Sequence, residues 1–353
     1  MSEKENQHYV PKFYLRKFSF QENNKQIGLL NLNSEFYFPT ANIKNQASKS
    51  YFYGRDLAME NALGILESMY SNIINSICQK EKLPKKTAFD FYLLIQFIVL
   101  TGLRNPVASE TTNESFHKFR SLLKSRAKGS VDFKDLRLTQ DDLKYYIFGN
   151  LTMITEICME LEYKIIKNRS SIPFITSDNP LIKYNQFLEK RKFGGSATGY
   201  ASLGLQIVVP LSPLLAIIGY DRTIYKIGFN KQFLINTSLR QDIEGINLLQ
   251  FSNCYKNVYF NQLTPKQYLF DLLNISKRFP KANIGMAAEH PLANERGEIL
   301  KNQTLSVMYR TDCKTKLELS FIKETRQAKL LKLDNKVVHL RKGAQKIRKK
   351  YNV

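Results

Sequence analysis

The apolar positions of this chain change period several times, and each change predicts an element. Ile27, Leu29, Leu30 and Leu32, then Asn33-Ser34, then Phe36, Tyr37 and Phe38 read as a hairpin over 26–38 that Pro39 ends. From Asp56 to Ile77 the residues Leu63, Leu66, Tyr70, Ile73, Ile74 and Ile77 recur at three and four, which predicts an amphipathic helix. Residues 85–103 are apolar nearly all round, so a helix there runs through the core. Arg104-Asn105-Pro106 stops it, because the residue before proline avoids the helical region. A basic amphipathic helix follows, with Lys118, Arg120, Lys124, Arg126 and Lys128 interleaved with Phe116, Phe119 and Leu122. Thr139, with Asp142 three residues on, opens another helix that continues to about 160.

Segments 162–166 and 172–176 flank the turn Asn168-Arg169-Ser170-Ser171 and predict a second hairpin, its second strand ending on Ser177-Asp178-Asn179-Pro180. The runs at 205–209 and 214–220 predict buried strands, bent by Pro210-Leu211-Ser212-Pro213. A helix over 238–250, a strand over 257–261 and a helix capped at Thr264-Pro265 come next. Past Ser276 the pattern weakens to two strands, 305–309 and 317–322, and a basic end over 341–350. The organisation implied is α+β: a mixed sheet built from hairpins packed on a buried helical bundle. A main domain over 1–275 carries the candidate site, and 276–353 forms a small basic C-terminal appendage.

Charge changes the picture. Lys plus Arg number 53 against 31 Asp plus Glu, a formal net charge of +22. Such an excess attracts polyanions, of which nucleic acid is the commonest in a cell; an anionic membrane surface is the weaker alternative, and a merely solvated Lys-rich surface the bland one. The four cysteines stand far apart with no Cys-x-x-Cys pair, so neither a disulfide framework nor a zinc site is indicated. The start is polar and the most apolar run is broken by Asp90, Gln96 and Thr101, which sets the expectation of a cytoplasmic protein without a membrane partner.

Candidate chemistry concentrates in His8-Tyr9-Val10-Pro11-Lys12-Phe13-Tyr14-Leu15-Arg16-Lys17-Phe18, which sets one of four histidines among three cations. Glu60 and Glu67, seven apart on a helix, project from nearly the same side beside its apolar stripe. If His8, Glu67 and Asp178 converge, an imidazole and two carboxylates suit general acid–base work and a divalent cation that activates water. Glu67 and Asp178 would hold the ion, Mg²⁺ or Mn²⁺. Lys12, Arg16, Arg104 and Asn179 would bind substrate, the cations neutralising a scissile phosphate. The bland reading of Arg104 is a cation at a helix C-terminus, and of Asp178 an Asx turn. No Gly-x-Ser-x-Gly elbow, dinucleotide fingerprint or Walker pattern is present; the glycine-rich stretch 194–199 reads as a mobile loop.

The spacing His-x-Val-Pro-x-x-Tyr-Leu-x-x-Phe at 8–18 resembles the opening of the family catalogued as domain of unknown function 4238. Arg104-Asn105-Pro106, Phe174-Ile175-Thr176-Ser177-Asp178-Asn179-Pro180 and Pro210-Leu211-Ser212-Pro213 follow in that family's order, so the resemblance spans residues 8 to 260. The family name supplies no chemistry. With the charge, it sets the first expectation: a nucleic-acid-directed effector, a metal-dependent ribonuclease or other nuclease in bacterial defence or toxin action, with RNA the favoured partner. Two alternatives stay open. One is a non-enzymatic nucleic-acid-binding or interaction protein in which His8, Arg104 and Asp178 form a buried network. The other is an enzyme on a nucleotide or another small phosphorylated ligand.

Overall fold

The helix Phe89–Leu103 is buried along almost its whole length, as its all-round apolar sequence requires, and the rest of the molecule is arranged about it. The computed structural model describes residues 5–20, 23–55, 57–126, 139–193, 196–229, 232–293, 299–333 and 339–352. Three long helices accompany the central one: Ala58–Lys80, Pro106–Arg126 and Gln140–Met159. The last begins as predicted, with a reciprocal capping box between Thr139 and Asp142. Residues 128, 129 and 137 of the expected basic segment lie outside the described residues.

Beside the helices stands a five-stranded sheet in the order 234–237, 162–168, 215–220, 206–210, 182–184, with the first pair parallel and the others antiparallel. Strand side chains alternate between faces. Ile165, Ile207, Val209 and Ile217 therefore join Phe97 and the helices in one apolar cluster, while Ile166, Val208, Ala216 and Ile218 join Ile243, Ile246 and Leu249 in another. A sheet covered on both faces explains why these strands read as unbroken apolar runs. A four-stranded antiparallel sheet, 37–42, 26–31, 257–260 and 176–177, adjoins it. The class is α+β with mixed sheets, as the sequence indicates.

Four details depart from the sequence reading. Pro39 does not end the first hairpin, whose second strand runs through it over 37–42 and pairs with 26–31. Residues 172–175 are not the second strand of a hairpin with 162–168, because both edges of 162–168 are taken by 215–220 and 234–237. The segment instead crosses to the other sheet, where 176–177 pairs with 257–260. Thr264 does not cap the helix Lys266–Ser276; its hydroxyl bonds Asn261, and Pro265 takes the N-cap place. Residues 317–321 form no strand, which starts only at Ile322.

The chain beyond the boundary drawn at 275/276 shares the core of the part before it. Leu317, Leu319 and Ala328 lie in the second apolar cluster, and strand 322–324 pairs with 225–227. The hairpin 285–293/299–310 packs so closely on the helix Pro106–Arg126 that a Cβ at Gly285 would stand 2.3 Å from the Thr111 carbonyl oxygen. Arg341, opening the basic helix Lys342–Lys350, donates to the carbonyls of Ile157, Tyr200 and Ser202. Among the described residues no single helix is long and apolar enough to cross a membrane.

Candidate functional site

Pro11, with φ −60°, sits at the N-cap of a one-turn helix, Lys12–Leu15, which tightens into a 3₁₀ turn over Arg16–Phe18. Leu15 and Phe18 anchor the turn in the core with no exposed surface. The Tyr14 hydroxyl lies 2.7 Å from Thr176 Oγ1 and donates to the Pro210 carbonyl at 2.6 Å. One buried phenol thus ties the N-terminal motif to the Phe174–Pro180 and Pro210–Pro213 motifs, which are remote in sequence and contiguous in space.

The other side of this turn faces a buried charge. Arg104 is 1 % exposed and donates to Glu67 Oε1 at 2.8 Å. The guanidinium also bonds the Tyr53 hydroxyl and lies near Tyr70. Burial and the neighbouring Glu67 push the Glu60 carboxyl up, with Arg104 and Lys12 opposing. His8 belongs to the same set: its Nε2 lies 3.1 Å from the Lys44 carbonyl, and the Lys12 and Arg104 charges both reach it. The structure therefore brings together His8, Lys12, Glu60, Glu67 and Arg104.

Burial, then Lys12, lowers the His8 pKa from 6.5 to about 4. The folded ring is neutral at pH 7. Below pH 6.5 the unfolded chain takes up a proton that the folded ring refuses until about pH 4, so this group costs stability as pH falls through that window. The full loss is about 3 kcal/mol. Urea midpoints at pH 7 and pH 4.5 should therefore lie closer together in His8→Gln than in the parent; an equal gap in both proteins contradicts this burial of a neutral imidazole.

Asp178 has different partners. Its carboxylate is wholly buried and accepts the backbone N–H groups of Tyr255 at 2.7 Å, Lys256 at 2.9 Å and Asn257 at 2.8 Å. Burial pushes the carboxyl up to about 7, while those three amides pull the other way. Asn105 donates to the Asp178 carbonyl, so the Arg104-Asn105-Pro106 motif touches the backbone here and not the carboxylate. Asn179 and Asn253 exchange side-chain-to-backbone bonds at 2.8 Å in both directions. Ser177 donates to Gln250 Oε1, and Asn247 both accepts from Ile175 N–H and donates to the Pro173 carbonyl. Asn247, Gln250 and Asn253, three apart on the helix Arg240–Asn253, thus clamp the segment 173–181.

These contacts correct the sequence assignment of roles. Arg104, 1 % exposed and paired with Glu67, and Asn179, buried and bonded to the Asn253 carbonyl, are too enclosed to hold a substrate. Glu67 is paired with Arg104, and both oxygens of Asp178 are filled by amides, so a shared Mg²⁺ or Mn²⁺ between them would have to displace both sets of partners. Among the described residues no group of three or more His, Cys, Asp or Glu side chains is placed to hold a metal ion. In the glycine-rich stretch, 194 and 195 lie outside the described residues, and the Ala197 amide and Thr198 hydroxyl donate to Asp312, which leaves them no phosphate to cradle.

A surface open to a ligand lies on the solvent side of the N-terminal turn. A groove of about 890 Å³ runs past Phe13, Arg16 and Lys17, along the helix Ala58–Lys80, and under the loops 168–173, 212–214 and 261–263. Among the described residues its lining contains no Asp, Glu or His. Ser71, Asn75 and Gln79 stand at i, i+4 and i+8 on one helix face. Among the described residues, none of these three nor Ser171 spends a side-chain hydrogen bond on the protein, and neither Arg16 nor Lys17 has an ion-pair partner. Arg16 was legible from sequence; the polar stripe was not, because it resembles the solvated side of any amphipathic helix. Its signal was three short hydrogen-bonding side chains in register with a cationic turn.

The fold and these contacts define an α+β protein in which the most distinctive polar residues are framework and the open surface is an acid-free, cation-bearing groove. Residues 6–264 match the family described as "Protein of unknown function (DUF4238)", and the chain belongs to it. No match was found among curated proteins or among solved structures.

Proposed function

We propose that this protein binds nucleic acid, RNA in preference to DNA, along the groove beside Arg16 and Lys17. The observation that carries the reading is the composition of that groove among the described residues: two unpaired cations and a row of uncommitted amides and hydroxyls, with no carboxylate, in a chain of net charge +22. Cations on a groove wall neutralise phosphates by counterion release, and neutral amides and hydroxyls can meet 2′-hydroxyls and base edges. The volume suits a short stretch of unpaired strand, since pockets of about 300–1,000 Å³ engulf ligands of drug size.

A nuclease would need a nucleophile or a metal-held water at this groove, and His8, Glu67 and Asp178 are absent from its lining. The reading is therefore binding without cleavage. Labelled single-stranded RNA and DNA incubated with the protein, with and without Mg²⁺ or Mn²⁺, should be retained intact, RNA more tightly. Metal-dependent cleavage abolished by Asp178→Asn in a protein of unchanged stability would restore the nuclease reading; failure to bind either polymer at low salt would end the nucleic-acid reading.

A further inference from the structure

A second cavity, of about 250 Å³, shares no lining residue with the groove. It lies between the edge strand Ile182–Tyr184, the start of the helix Pro106–Arg126 and the end of the strand Ile299–Arg310. Two cations, Lys183 and Arg310, face it, and among the described residues its lining contains no carboxylate. Lys183 Nζ stands 4.1 Å from the centroid of the Tyr200 ring. Among the described residues neither Lys183 nor Arg310 has an ion-pair partner.

Like charges in a shared, half-buried space repel one another unless something of opposite sign lies between them. The nearby carboxylate of Asp312, bonded by the Ala197 amide and the Ser196 and Thr198 hydroxyls, carries one negative charge against the two cations and so offsets only part of their repulsion. The Cys158 thiol, also near Lys183, is pushed up to about 12 by burial and carries no charge. Burial, then Arg310, holds the Lys183 amine well below its usual value, against Asp312 and Cys158. The hydroxyls of Thr111, Thr112 and Ser115 donate to backbone carbonyls, so the attraction for an anion in this cavity comes from the two cations.

From the two cations that face this cavity and the single carboxylate near them we infer that it is a binding site for a small doubly charged oxyanion, of the size of inorganic phosphate or a small phosphate monoester. An anion held between the two cations favours the charged form of the lysine, against the burial and the Arg310 charge that lower its pKa.

Isothermal titration of the full chain with sodium phosphate tests this. The expected result is saturable heat at one site, a melting point that climbs with phosphate concentration, and a loss of affinity of about tenfold or more in each of Lys183→Met and Arg310→Gln. Lys226→Gln, at an exposed position away from the cavity, should bind as the parent does. Without phosphate, Lys183→Met should melt no lower than the parent, because it removes one of two repelling charges. No saturable binding to the parent, or parent-like affinity in both variants, would overturn the assignment. RNA binding is not a readout of this site, so its outcome and that of the groove stay separate.

Discussion

Glu67→Ala is expected to destabilise the protein by about 3–5 kcal/mol, more than Arg104→Met does. The asymmetry follows from where the two partners lie. The Arg104 side chain is 1 % exposed and the Glu67 side chain 28 %. Removing the carboxylate strands a guanidinium that cannot lose its proton and has no route to water, although the Tyr53 hydroxyl still accepts from it. Removing the guanidinium leaves a carboxylate that can turn outward and rehydrate, so the loss there is about 1–3 kcal/mol and comes largely from packing. The double variant, Glu67→Ala with Arg104→Met, should recover much of the Glu67→Ala loss. Urea denaturation of all three proteins measures the order. If Arg104→Met proves the costlier single change, or the two losses simply add, the ion pair is not the unit described above.

Asp178→Ala should cost at least as much, about 3–5 kcal/mol, by leaving three backbone amides without the buried acceptor they share. The amides of Tyr255, Lys256 and Asn257 belong to the turn that feeds strand 257–260, whose register against 176–177 and 26–31 then loses its anchor. Asp178→Asn keeps one accepting oxygen but sets an N–H₂ group against the remaining N–H donors, so it should fall between Ala and the parent. A catalytic carboxylate behaves in the opposite manner: its removal abolishes activity and leaves stability near that of the parent or above it. Denaturation curves of the two variants therefore decide between framework and chemistry. Parent-like stability in Asp178→Ala would overturn the structural role.

The sequence marks where the unusual residues are more clearly than what they do. Arg104 and Asp178 stand out because charge is rare beside long apolar runs. That rarity is equally the mark of a buried ion pair or a buried amide acceptor, and only the partners decide. His8 stands out in the same way and proves to be a neutral ring against the Lys44 carbonyl. The long helices and the strands at 206–210 and 215–220 are legible because period and length agree. The fate of 172–176 is not, since two strands from distant parts of the chain compete for the edges of 162–168 and win. Nor is the clamp of Asn247, Gln250 and Asn253, because spacing on a helix says which face the amides share and not whose backbone they meet. Arg16 was marked in the sequence as a substrate contact and does line the groove, whereas Ser71, Asn75 and Gln79 become visible only once the N-terminal turn is laid beside their helix.

The salt dependence of binding to single-stranded RNA tests the central claim most directly, with the parent compared to Arg16→Gln/Lys17→Gln. Both side chains reach solvent and neither is paired among the described residues, so the double variant should keep the parent's melting point. Binding along the groove predicts weaker binding by the variant and a plot of log K against log salt that is shallower by about 1.4, two phosphates' worth of released counterions. Identical slopes in the two proteins would place the nucleic acid elsewhere on this basic surface and contradict the account.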